Sequence, residues 1–320
     1  MKAAEKKNKA DYARDRQQAM KELTDRLEQG VQDVFQSENF KAYLACMAKF
    51  HSYSLNNTIL IAMQKPDATL VAGYQTWKKR HGRQVRKGEK GIKILAPAPY
   101  KVKLEKDMID PATGKRVLGP DGQPKKEIVM IDRPAFKIAT VFDVSQTEGK
   151  ALPTFKLSEL TGDVQGFQDF FEALKQVSPV PIAMEEITTG AKGYYHLVEK
   201  RIAIKEGMSE AQTVKTAIHE ISHALLHSKE KMEETGVEKD APTREVEAES
   251  VAFCVASHYG IDTSDYSFGY IASWSSGREM DELKKSLETI RSTASELITE
   301  IDAHLTDIRK GHADPAGQTA

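Results

Sequence analysis

His219, Glu220 and His223 stand together as His-Glu-Ile-Ser-His, inside a stretch from Thr213 to His227 that holds neither proline nor glycine. Residues four apart on a helix share a face, so both imidazoles can turn toward one ion, while Glu220 lies about 100° further round. Val214, Ala217, Ile218, Ile221, Ala224 and Leu225 make an apolar stripe that buries one side of this helix and leaves the three polar residues along its edge. The chemistry these residue types suit is hydrolysis. A bound Zn2+ acidifies water and polarises a carbonyl, and Glu220 is the general base that passes the proton on to a leaving amine.

A catalytic zinc takes three protein ligands, so two histidines leave the set incomplete. The extended motif with a third downstream histidine is excluded, because its glycine position holds Leu226 and its histidine position Lys229. His227 lies roughly 12 Å along the helix axis from His219, too far to share an ion, and reads as a helix-end histidine near the carbonyl dipole. The better donor is the next helical stretch, Thr243 to Phe253, which follows Pro242. There Glu245 and Glu249 share a face, whereas Glu247 lies roughly 200° round the helix and points away. Glu245 is the expected third ligand. Glu249 either orients the outer nitrogen of a ligating histidine or takes the place of Glu245. A donor to the developing oxyanion is also needed, and Tyr194, Tyr195, Tyr259, Tyr266 and Tyr270 all remain open. Nothing near His196 or His258 completes a second site.

The elements around this helix follow from pattern. Gly193 to Ile204 reads as two short strands about a tight turn, and an edge strand beside the active helix can hold an extended peptide by main-chain pairing. A chain of 320 residues suits two domains. Cys46 and Cys254 lie in apolar surroundings in different halves and read as core thiols rather than a disulfide. No run is long enough to cross a bilayer and no signal core opens the sequence, so a cytoplasmic location without membrane contact is expected.

The net charge of −1 conceals a basic stretch from Trp77 to Lys93. Lys78, Lys79, Arg80, Arg83, Arg86, Lys87 and Lys90, with Tyr74 and Trp77 beside them, combine cations for phosphates with rings for unpaired bases, a pairing suited to single-stranded DNA. The supporting scaffold reads as helix from about Asp11 to His51, interrupted at Gly30, then a short helix capped by Asn56 or Asn57 and ending before Pro66. Strands follow at Gly91 to Ala96, Glu127 to Ile131 and Phe136 to Phe142, with a turn-rich, mobile hairpin tip between Asp110 and Gly122. Ser273 to Arg309 reads as a closing helical region.

The ordered series Phe50-His51-Ser52-Tyr53-Ser54-Leu55-Asn56-Asn57, Gly73-Tyr74-Gln75-Thr76-Trp77, Gly82-Arg83-Gln84-Val85-Arg86-Lys87-Gly88 and Phe142-Asp143-Val144-Ser145-Gln146 resembles the N-terminal domain of ArdC-type antirestriction proteins. The C-terminal half resembles the zincin-like peptidase domain joined to it, of the ImmA/IrrE type, through His219 to His223 and Glu245 to Phe253. It departs from that pattern at Glu249, where the ImmA/IrrE type has asparagine, which keeps Glu249 open as a ligand. The resemblance implies an α+β chain of two domains. Residues 1–150 would be a helical, single-stranded-DNA-binding domain with a small antiparallel sheet, and 151–311 a zincin-like metallopeptidase fold, before a disordered tail at 312–320. It further implies carriage on a mobile element and an unidentified protein substrate. Two other roles remain open: a non-catalytic coat on single-stranded DNA, and an ImmA-like regulatory protease that cuts a repressor.

Overall fold

The computed structural model describes residues 9–152 and 164–313. The first half runs α1 (Lys9–Val34), α2 (Ser37–Lys49), α3 (Leu55–Gln64), β1 (Val71–Gly73), α4 (Tyr74–Lys79), β2 (Arg83–Val85), β3 (Ile92–Pro97), β4 (Tyr100–Asp107), β5 (Lys126–Arg133), β6 (Phe136–Asp143) and β7 (Thr147–Gly149). Gly30 does not interrupt α1; the break falls at Phe35 and Gln36. A Cβ on Gly30 would lie 2.1 Å from Met63 Sδ, so this glycine serves the close approach of α1 to α3. The cap of α3 is Ser54, which accepts from the backbone N–H of Asn57, and neither Asn56 nor Asn57 has that role. Asn57 works on β3 instead: its amide donates to Leu95 O at 2.9 Å and accepts from Leu95 N at 2.8 Å. Gln64 repeats the arrangement with Lys93, so amide side chains satisfy the outer edge of β3.

The sheets are small. β6 lies between β1 and β3 with antiparallel pairing, β2 pairs with β7, and β4 pairs with β5 as a hairpin. Beyond that hairpin the bridges Ile109–Arg116 and Leu118–Pro124 carry the pairing into the turn-rich stretch.

The second half runs α5 (Val164–Val177), β8 (Ile182–Glu185), β9 (Gly193–His196), β10 (Arg201–Lys205), α6 (Glu210–Leu226), α7 (Lys229–Thr235), α8 (Ala241–His258), α9 (Ile271–Ser275) and α10 (Met280–Ala313). The closing helical region is thus two helices, parted by Gly277, whose φ of 79° ends the first. His312 and Ala313 finish α10, and the expected tail beyond them lies outside the described residues. β10 is the middle strand of its sheet, parallel to β8 and antiparallel to β9, which leaves β9 at the edge beside α6.

The halves share one core. A single cluster joins Phe40, Leu44 and Met47 of α2 to Val251 and Val255 of α8 and to Leu287 and Ile290 of α10. Side chains buried to this degree each contribute about 1.5–3 kcal/mol. A smaller cluster, with Phe50, Ile61, Val71, Ile92 and Val141, belongs to the first half alone.

Candidate functional site

Ser209 starts α6 by accepting from Gln212 N, so the helix is one turn longer at its start than its apolar stripe suggested. Val214, Ala217, Ile218 and Ile221 are buried against the sheet side, as the stripe requires, and His219 and Glu220 come to the rim of a cleft, with His223 one turn further along the helix. The second helix, α8, is set by its own N-terminus. Asp240 accepts from Thr243 N at 2.9 Å and pairs with Arg278 at 2.6 Å, while Trp274 donates its indole N–H to Thr243 Oγ1 at 3.1 Å. Pro242 therefore lies inside the first turn rather than before it, where its missing N–H is harmless. One turn later Glu245 projects toward α6.

His219 Nε2 and His223 Nε2 are 3.1 Å apart, and the Glu245 carboxylate lies 3.6 Å from the first and 3.5 Å from the second. One ligand atom from each of these residues falls within 4.8 Å of the others. Two imidazoles and a carboxylate facing one point, with the cleft on the open side, fit a divalent cation that keeps a position free. Their protonation suits it too. Burial and neighbouring His223 hold His219 down at about 4, so its lone pair is free, and the close approach of His223 lowers the Glu245 carboxyl below its ordinary value. Glu249 stands behind the ring, its Oε2 3.8 Å from His219 Nδ1, beyond a direct hydrogen bond.

Glu220 is 8 % exposed and opens onto the same cleft, a space of about 390 Å³ that Gly193, Thr216, Glu249 and Tyr266 also line. Burial pushes its carboxyl up to about 7, against the pull of His223 and a backbone hydrogen bond from Tyr195 on the edge strand.

The tyrosines separate. Tyr259 is fully buried and donates to Ile298 O and Asp302, and Tyr194 donates to Glu185, so both hydroxyls are engaged away from the site. Tyr195 faces Glu230 and Lys200 with its ring and offers the cleft its backbone. Tyr266 lines the cleft, and Tyr270 feels both Glu249 and Glu245. Burial raises both phenols well above the usual range, with Glu249 and Asp265 adding to it at Tyr266 and Glu249 and Glu245 at Tyr270, so each remains an O–H donor.

His227 and Glu247 are where pattern reading fell short. His227 is the C-cap of α6, but it is buried, with Nδ1 3.1 Å from His223 Nδ1 and Nε2 3.1 Å from Glu247 Oε2. Glu247 does point away from the three donors, as its helical angle requires, yet it is wholly buried and also accepts from Lys239 at 2.7 Å and 2.8 Å. The signal was present in the spacing: 219, 223 and 227 are successive fourth residues and form a column of rings with centroids 4.7 Å and 5.2 Å apart.

The basic stretch divides into two kinds of residue. Lys78, Lys79, Arg80, Lys87 and Lys90 are exposed, as is Tyr74. Trp77 is fully buried, its indole donating to Phe142 O at 2.8 Å, so it is a core residue and offers no face to a base. Arg83 donates to Thr147 Oγ1 and to the carbonyls of Thr147 and Lys150 and so braces β2 against β7, while Arg86, itself exposed, donates to Glu89 and to Ser145 O just before β7. Sequence reading missed a second basic surface. Arg16 and Arg26 of α1 face Lys93, Lys137 and the 60 % exposed Phe136 across a groove of about 1160 Å³, in which Asp15 and Glu22 also stand. Its residues come from segments far apart in the chain, so no local run announces it.

Known proteins match this organisation. Residues 13–142 match the N-terminal domain of anti-restriction factor ArdC, and residues 180–267 the IrrE N-terminal-like domain of the M78 peptidases. An uncharacterized Bacillus anthracis protein, pXO2-81, is 28 % identical over 313 residues, which is 91 % of this chain and 52 % of that protein. The Escherichia coli DNA primase TraC is 29 % identical over 231 residues, 69 % of this chain and 15 % of the primase. The chain thus spans about half the length of the first of these relatives and a small part of the second. Crystal structures of the antirestriction ArdC protein from plasmid R388, metal-free and Mn(II)-bound, align with TM-scores of 0.47 and 0.46 at 21 % and 19 % identity, over 80 % of this chain and 86 % of that one. The chain thus carries an ArdC-type N-terminal domain over residues 13–142, followed over residues 180–267 by an IrrE-like, zincin-type domain.

Proposed function

We propose that this chain is an antirestriction protein of a mobile element that binds single-stranded DNA through residues 1–150 and hydrolyses peptide bonds at a zinc centre held by His219, His223 and Glu245. The observation that carries the peptidase reading is the convergence of those three donors beside the buried Glu220. Zinc, when bound there, supplies Lewis acidity toward water and a scissile carbonyl. The remaining work falls to the chain. β9 presents main-chain groups along the cleft, so an extended peptide can pair with the edge strand and lie across the histidines. Glu220 takes a proton from water in the cleft and gives it to the leaving amine, a task for which a carboxyl held near 7 is matched. Tyr270 and Tyr266 are the hydroxyls available to an oxyanion. Glu249 serves as the carboxylate behind His219 rather than as a ligand, since its nearest approach is to the outer ring nitrogen.

For DNA, the exposed cations Lys78, Lys79, Arg80, Lys87 and Lys90 with Tyr74 support the reading, and the groove between α1 and β6 supplies a second cationic surface with a free aromatic ring. No helix among the described residues is long and apolar enough to cross a membrane.

The test uses one preparation for both activities. Wild type should bind one equivalent of zinc and a labelled single-stranded oligonucleotide, His223→Ala should lose zinc but keep DNA binding, and Glu220→Gln should keep both. Restriction of DNA entering a cell that makes each variant then decides the role of hydrolysis. Loss of protection with Glu220→Gln supports peptidase action, whereas full protection by that variant overturns it and leaves the non-catalytic coat. Wild type that takes up no zinc would overturn the metal centre itself.

A further inference from the structure

We infer that His227, Glu247 and Lys239 form a relay that positions His223 as a metal ligand, fixing its tautomer and locking the two donor-bearing helices in register. The inference rests on the metal reading of the site, and it concerns residues that supply no donor atom to the metal.

The hydrogen-bond chain has only one consistent proton arrangement. His223 Nε2 is the nitrogen that faces His219 Nε2 and Glu245, so its lone pair belongs to the metal and its proton sits on Nδ1. That N–H points at His227 Nδ1, 3.1 Å away, which must then be the acceptor. With Nδ1 bare, His227 carries its proton on Nε2, and this N–H donates to Glu247 Oε2 at 3.1 Å. Glu247 is held as a carboxylate by the Lys239 ammonium, which reaches both of its oxygens. Every link alternates donor and acceptor, and reversing any one leaves two lone pairs or two N–H groups face to face.

The burial of this chain argues that it does more than fill space. Glu247 has no exposed surface and His227 4 %, and a buried charge pair is commonly no more stabilising than apolar residues of the same volume. What an apolar replacement could not do is hold an imidazole proton in one place. The usual partner behind a metal-bound histidine is a carboxylate or carbonyl oxygen. Here a second imidazole is interposed, and its position explains the choice: His227 ends α6 and Glu247 lies inside α8, so the relay spans the two helices that carry all three donors. It fixes how far along α6 the residue Glu245 can stand.

Zinc affinity, measured by competition with a chromophoric chelator on the full chain, tests this. His227→Leu keeps bulk but accepts nothing, whereas His227→Gln can accept through Oε1 and donate through Nε2. His227→Leu should weaken zinc binding by about 10- to 100-fold, with His227→Gln recovering to within about threefold of wild type. The metal-free His227→Gln protein, which keeps both bonds, should melt with wild type. A Lys239→Met, Glu247→Met double variant removes the buried pair without a charge left over, and it should weaken zinc about 10-fold while keeping the fold. Equal zinc affinity in wild type and either His227→Leu or the double variant would overturn the relay. So would His227→Gln binding as poorly as His227→Leu, since that marks a packing role. If wild type binds zinc at this site in none of these titrations, the metal reading fails and the relay with it.

Discussion

The ammonium of Lys41, on α2, lies 2.9 Å from the carbonyl oxygen of Tyr266, whose ring lines the cleft beside Glu249. An element of the first half thus holds a wall of the site in the second. Phe35, at the α1–α2 break, packs its ring 6.0 Å from Trp274, the residue that bonds Thr243 at the start of α8. The ligand helix is therefore fixed at one end by residues that themselves lean on α1 and α2, and whatever displaces those helices displaces Glu245.

Cys254 reports on that docking. It is fully buried on α8, with Sγ 3.7 Å from Met47 Sδ and 3.5 Å from Leu44 O, both on α2. Burial raises its thiol far above the usual range and raises Cys46 to about 12, so neither forms thiolate near neutral pH. Both should resist a disulfide reagent in the native protein and react only on unfolding. Fast labelling of Cys254 in an otherwise folded chain would show that the halves part.

Asp240 makes the start of α8 sensitive to acid. Hydrogen bonds from Thr243 and Arg278 hold its carboxyl at about 2, below its ordinary 3.8. The folded-state value is the lower one, so the stabilisation is complete above about 4 and fades as pH falls toward 2. Asp240→Asn keeps a helix cap but loses the ion pair, and it should flatten that part of the acid unfolding curve. Asp240→Ala removes the cap as well and should cost about 1 kcal/mol at neutral pH. Urea midpoints across pH 2 to 7 would check both.

The legibility of this chain divided along one line, the distance over which residues must cooperate. His219, Glu220 and His223 depend on one helix, and their faces follow from spacing alone. Glu245 needed only a second helix read the same way. Gly30, Asn57 and Trp77 are ambiguous types whose roles depend on partners elsewhere: Met63 for the glycine, Leu95 for the amide, Phe142 for the indole. Glu247 and His227 were read separately, as an acid pointing away from the site and a helix end, because nothing local says that α6 and α8 bring them within 3.1 Å. The edge strand β9 was legible as half of a hairpin, but β8, which completes its sheet, carries no motif.

Arg83 and its neighbours should now behave differently on substitution. Arg83→Ala removes bonds to Thr147 Oγ1 and to the carbonyls of Thr147 and Lys150, and it should cost about 1–3 kcal/mol of stability by urea unfolding. Lys78→Ala and Lys79→Ala, exposed and outside such a network, should each fall within about 0.5 kcal/mol of wild type. On single-stranded DNA the order reverses. Charge reversal at Lys78, Lys79 and Lys87 should weaken binding and flatten its salt dependence, and the same change at Arg16, Arg26 and Lys137 measures the share of the groove. Binding indifferent to both sets would remove these surfaces from the DNA path.

Tyr270 offers the sharpest separation of chemistry from structure. Its hydroxyl is kept protonated by burial and by the fields of Glu249 and Glu245, and its side chain is 42 % exposed, so removing one oxygen disturbs little packing. Tyr270→Phe should leave zinc content and melting temperature unchanged. If the hydroxyl stabilises the oxyanion, turnover of a peptide that wild type cleaves should fall about 100-fold, with KM little altered, because the bond forms only as charge develops. Tyr266→Phe is the control on the same cleft, since Tyr266 also packs on Phe253 and under the Lys215 ammonium. A loss confined to Tyr266→Phe would move the donor role there, and turnover unchanged in both would leave oxyanion stabilisation to the metal.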